Sequence, residues 1–107
     1  MSGKKIPRKF VLDGREWKVR IHRNVKLRHL ILQGLTDPTK REIHIDSALD
    51  EAARYATFVH EFLHAVLDAY GLGMNASPPV MSPEEEERLV ETLERVLLTK
   101  FEMTFKG

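Results

Sequence analysis

The chain has 107 residues, 42% hydrophobic and 31% charged, with a net charge of +1. That length suits one hydrophobic core, and the composition excludes a disordered or fibrous chain. With no cysteine, disulfides and thiolate metal sites are both excluded, so any metal must be held by His, Asp or Glu.

The charge is unevenly spread: residues 1–45 carry twelve Lys/Arg against four Asp/Glu, net +8, and residues 46–107 five against twelve, net −7. A basic half of this kind can mark a nucleic-acid surface. No aromatic residues interleave with the basic ones as single-strand binding requires. We therefore expect basic strands offset by acidic helices, with neither nucleic acid nor membrane as a partner. The opening "MSGKKIPRKF" lacks the apolar stretch of a secretory signal, and no run approaches spanning length, so a cytoplasmic protein is expected.

In chain order, "KFVLDGREWKV" places Asp13-Gly14 between two alternating runs and predicts a tight hairpin. Phe10 and Leu12 alternate on one arm, and Trp17, Val19 and Ile21 on the other. After a basic link come "LRHLILQGLTD", a turn at Asp37-Pro38-Thr39-Lys40, and "REIHID". In this last strand Ile43 and Ile45 point one way and Glu42 and His44 the other, a half-exposed pattern that we read as a sheet edge. A first helix is expected from Ser47 or Asp50 to Tyr70, stopped by Gly71 and Gly73. A second opens at "SPEE", with Ser82 as N-cap, Pro83 in the first turn and Glu85 closing a capping box, and runs to about Lys100. The tail "FEMTFKG" alternates like a short strand that could cover a neighbouring edge. The whole predicts a single α+β domain over residues 1–107: a small twisted, mostly antiparallel sheet of two hairpins, followed by two helices.

The stretch "ATFVHEFLHAVLDAYG" holds His60, Glu61 and His64 on the first of these helices. Side chains at i and i+4 stand one above the other, so two imidazoles there reach one ion. A third protein ligand and a water complete a tetrahedral zinc site. Glu61 is turned about 100° round the helix, too far to ligate comfortably but placed to take a proton from that water. By composition alone the pattern arises in about two of a hundred such chains. Its surroundings sharpen it: residues 55–70 contain no Lys or Arg, although a solvated helix face would carry them. His22, His29 and His44 read as surface residues.

Asp68 lies about 12 Å along the axis from His60, too far to share an ion. The remaining source of a third ligand is the second helix, whose apolar stripe is Leu89, Val90, Leu93, Val96 and Leu97. Glu86 lies within about 25° of that stripe's centre, so it is the expected ligand, with Glu85 and Glu87 as alternatives.

The helix with "HEFLHAV" and the following "EEERLV" resemble the small gluzincin-type zinc metallopeptidases, the minigluzincins and the ImmA/IrrE-like peptidases of phages and prokaryotes. The resemblance spans about Ile43 to Leu98. It implies a zincin-like fold, Zn2+ on His60, His64 and a second-helix glutamate, Glu61 as general base and then general acid, and a peptide or protein substrate. It also implies that an extended peptide pairs with the edge strand, here "REIHID". Tyr55, Tyr70 and His44 are the candidates for a donor to the oxyanion. The competing reading is a latent or non-catalytic zinc-binding regulatory module of the same fold.

Overall fold

A computed structural model of the chain describes residues 5–100. The expected tail strand at residues 101–107 lies outside them. The fold is α+β: six strands, β1 (Lys9–Leu12), β2 (Arg15–His22), β3 (Val25–Leu27), β4 (Leu30–Leu32), β5 (Gly34–Asp37) and β6 (Glu42–Asp46), then the helices α1 (Glu51–Ala69) and α2 (Pro83–Lys100). No helix among the described residues is long and apolar enough to cross a membrane.

The first hairpin forms as its turn chemistry dictates. Asp13 and Gly14 both take positive φ, 49° and 74°, the two-residue turn whose twist matches the flanking strands. Phe10 faces Trp17 across it, their rings stacked 6.1 Å apart, and both are buried. The second hairpin joins β5 to β6 through the turn opened by Asp37, whose Oδ1 accepts from the Lys40 amide at 3.2 Å.

One expectation fails here. "REIHID" is not an edge: the main sheet runs β1-β2-β6-β5, so β6 is an inner strand, parallel to β2 and antiparallel to β5. Its alternation has another cause. The helices cover one face of the sheet and bury Ile43 and Ile45 completely, while Glu42 and His44 stand on the open face. The edges are β1 and β5. The run "LRHLILQGLTD" is divided between two sheets. Residues Val25–Leu27 and Leu30–Leu32 form their own hairpin about Arg28-His29, and only Gly34–Asp37 joins the main sheet. Arg28 takes a positive φ without glycine or asparagine to announce it.

α1 starts where Asp50 accepts from the Ala53 amide at 2.8 Å. It ends in a Schellman motif: Gly71 takes φ +67°, its amide reaches the Asp68 carbonyl, and the Leu72 amide reaches that of Leu67. α2 opens on the predicted capping box, with Ser82 N to Glu85 Oε1 at 2.8 Å and Glu85 N to Ser82 Oγ at 3.1 Å. Phe58, Val59 and Leu63 of α1 pack against Ile43, Ile45 and Phe10, and Val90 anchors α2 beneath α1.

The face that α2 turns to α1 is centred on Val90, with Leu89, Leu97 and Leu98 beside it, while Leu93 and Val96 look outward. Relative to the stripe expected from sequence, the helix is rotated by about 60°. That rotation decides which glutamates meet the histidines.

Candidate metal centre

His60 and His64 occupy successive turns of α1, their rings 5.0 Å apart. Each ring has a carboxylate behind it. His60 Nδ1 lies 2.7 Å from Glu94 Oε1, and His64 Nδ1 lies 2.6 Å from Glu86 Oε2. A carboxylate only accepts, so both rings donate through Nδ1, which leaves Nε2 as the ligating nitrogen whenever the ring is neutral. On the Nε2 side stands Glu87, whose Oε1 is 2.7 Å from His60 Nε2 and 3.5 Å from His64 Nε2. One ligand atom from each of His60, His64 and Glu87 lies within 4.8 Å of the others, so these three could hold a metal ion.

Two imidazole nitrogens and a carboxylate oxygen brought this close could share a cation, either a metal ion or a proton on His60 Nε2. Two nitrogens with fixed tautomers and one oxygen are the donor set of a divalent ion such as zinc, and the set leaves a coordination position open.

Glu86, the expected third ligand, is not in this group. It does face α1, as its place on the helix foretold, but it lies deeper: 3% exposed, its Oε2 on His64 and its Oε1 accepting from the Met74 amide at 2.7 Å. Gly73 lets that loop come so close, since a Cβ there would collide with the Glu86 carboxylate. Glu87, one residue further round, has a side chain 48% exposed and reaches the open side of the rings. Glu85 is taken up by the capping box. Glu94 was missed by sequence reasoning. Its signal was its spacing, because Glu86, Val90 and Glu94 follow one another at i+4 and form the face set against the histidine turns.

Glu61 sits between two clefts. One, of about 380 Å³, lies between β4–β5 and α1 and is walled by Leu32, Gly34, Ala53, Ala56, His60 and Glu94. The other, of about 170 Å³, is more acidic, with Asp68, Glu86 and Glu87 beside His64. Thr36 of β5 steadies Glu61: its Oγ1 is 2.8 Å from Glu61 Oε1 and 2.9 Å from the Glu61 carbonyl, one proton serving two acceptors. Gly34 permits this closeness, since a Cβ there would meet Thr57 Cγ2 at 2.5 Å and Glu61 Cγ at 3.1 Å. Of the three candidate oxyanion donors, none lines either cleft. Tyr55 is buried in the core, the Tyr70 hydroxyl accepts from the Asp13 amide at 2.9 Å, and His44 stands on the sheet's far face.

No family model, no curated protein and no solved structure matches this chain. The site therefore rests on its own geometry.

Burial raises the Glu61 pKa, against the lowering pull of the Thr36 hydroxyl and the two histidines. For His60, burial opposes the charged ring, but the Glu94 hydrogen bond and the Glu61, Glu87 and Glu94 carboxylates outweigh it, so its pKa is raised. Asp68 is raised by burial and then by Glu86. Groups whose folded pKa is raised stabilise the fold below their unfolded values and lose that contribution as pH climbs through the folded values. The metal-free chain should thus gain thermal stability as pH falls from about 8 toward 5. Zinc binding should weaken over the same window, because the ligating imidazole must be neutral. Melting curves taken with chelator and with zinc should consequently slope in opposite directions; parallel slopes would contradict the His60 environment.

Proposed function

We propose that the protein is a zinc-dependent metallopeptidase acting on peptide or protein substrates in the cytoplasm. The observation that supports this best is the pair of carboxylate-backed histidines with Glu87 on their open side and Glu61 beside them, outside the ligand group. The resemblance of "HEFLHAV" to gluzincin-type peptidases leads to the same reading.

His60, His64 and Glu87 would hold the ion; zinc, when bound, polarises a carbonyl and acidifies water. Glu86 and Glu94 keep the imidazoles in the ligating tautomer. Glu61 takes the proton from the attacking water and returns it to the departing amide nitrogen, a role that favours a carboxylate whose pKa burial has raised. The substrate enters as an extended strand along the outer edge of β5, in place of the "REIHID" edge expected from sequence. Backbone pairing supplies binding there with little sequence demand.

Thr36 acts as a positioning residue. Thr36→Val keeps the shape and removes a hydrogen bond to a charged group, an interaction of about 1.5–3 kcal/mol. Turnover should drop roughly tenfold or more. Because that bond lowers the Glu61 pKa, its loss should also move the acid limb of the kcat/KM profile to higher pH. An unmoved limb would remove Thr36 from the mechanism.

The function is tested by incubating the zinc-loaded chain with an unfolded protein and sequencing new amino termini. Cleavage that a chelator stops and zinc restores is the expected result; an intact substrate at every zinc level rejects the peptidase reading.

A further inference from the structure

The open face of the sheet carries a second convergence of histidines, away from both helices. His22 at the end of β2 and His44 in β6 meet diagonally across the parallel pair, His22 Nε2 lying 2.8 Å from His44 Nδ1 with the rings at 87° to one another. The other nitrogen of each ring is already committed. His22 Nδ1 is 3.0 Å from the Arg23 carbonyl, and His44 Nε2 is 3.1 Å from Glu42 Oε1. Arg20 holds the second Glu42 oxygen at 3.0 Å and keeps that carboxylate ionised. A carbonyl and a carboxylate can only accept, so each neutral ring carries its single proton there. The two nitrogens that face each other are then both lone pairs, and at hydrogen-bond distance two lone pairs repel unless a positive charge lies between them.

We propose that His22 and His44 form a second metal site, a two-imidazole clamp for a divalent transition cation that prefers tetragonal geometry, Cu2+ before Ni2+. The spacing distinguishes among ions. With metal–nitrogen bonds of about 2.0 Å, ligands at a right angle lie about 2.8 Å apart, whereas tetrahedral ligands lie about 3.3 Å apart. The separation of 2.8 Å matches the first. Glu42 behind His44 repeats the device of Glu94 behind His60, fixing the tautomer and raising the basicity of the ligating nitrogen. The exposed side chain of His22 leaves the remaining positions to water. A proton bridging the rings is the rival occupant of the same space.

The test titrates the full chain with Cu2+ alone, following stoichiometry by calorimetry and nitrogen ligation by electron paramagnetic resonance. The parent should bind two ions. His22→Ala and His44→Ala should each lose one of them, while His64→Ala should keep the two-nitrogen signal of the sheet site. Glu42→Gln should weaken that site about 10–100-fold. All four positions are tested with circular dichroism as the folding control, and His22, an exposed residue, gives a variant that loses no core packing. If His22→Ala and His44→Ala leave stoichiometry and signal unchanged, or if a proton shared by the two rings persists in nitrogen-15 spectra at saturating Cu2+, the site is overturned. Because no residue of this site belongs to the helical centre, its failure would leave the peptidase reading untouched.

Discussion

Glu61→Gln should retain zinc and lose turnover by about 10²–10⁴-fold, the usual worth of a positioned general base. Retention of metal follows from the proposed ligand group, His60, His64 and Glu87, which does not include Glu61. The loss follows from chemistry. The amide of glutamine fills the same space and can still meet the Thr36 hydroxyl, but it has no proton affinity near neutral pH, so it can neither activate water nor deliver a proton to the leaving nitrogen. Zinc content by mass spectrometry and rate on the same unfolded substrate check both halves. A variant that holds zinc and cleaves at the parent's rate would remove Glu61 from the mechanism. A parent that holds zinc yet never cleaves would favour the regulatory-module reading instead.

The second large effect separates the two neighbouring glutamates of α2. Glu87→Ala should cost zinc affinity about a hundredfold or more, since one of three protein donors disappears from a site whose total binding free energy is of the order of 10–16 kcal/mol. Its effect on the metal-free fold should be small, because the side chain is half exposed. Glu86→Ala should behave differently. It weakens zinc about 10–100-fold by freeing the His64 ring. It also strips an acceptor from both His64 Nδ1 and the Met74 amide, at about 1–3 kcal/mol for each buried donor left unpaired. Chelator competition read together with metal-free melting temperatures distinguishes the cases. If Glu86→Ala abolished binding while Glu87→Ala left it intact, the ligand would be Glu86, as the helical projection of the sequence first indicated.

Much of this site could be read before any coordinates, and the reasons differ by residue. The spacing of His60, Glu61 and His64 is local to one helix, and so are the capping box of Ser82 and Glu85 and the Asp13-Gly14 turn; local geometry survives any tertiary arrangement. The rotation of α2 is not local. It follows from Leu98 packing inward while Leu93 and Val96 turn out, and that rotation of about 60° brings Glu87 round to the flank of the face while Glu86 stays near its centre. The glutamate nearest the stripe's centre becomes the most buried, and burial suits a residue that orients a histidine. A ligand must lie where water or substrate can also arrive, on the flank. The edge assignment failed for a related reason: Glu42 and His44 are only partly buried because one sheet face is open, and an inner strand under helices shows the same alternation as an edge. The hairpin of β3 and β4 carried no turn signature at Arg28-His29, so pattern alone could not divide it from β5.

The central claim is that His60, His64 and Glu87 share one divalent cation. It is tested most directly by zinc K-edge absorption on a His44→Ala background, where only the helical site can report, compared with the same protein carrying Glu87→Ala. Two imidazole nitrogens and at least one carboxylate oxygen around a single zinc, with that oxygen lost and affinity reduced in the Glu87→Ala chain, is the expected result. A spectrum lacking paired imidazoles, or one that Glu87→Ala leaves unchanged, would contradict the account.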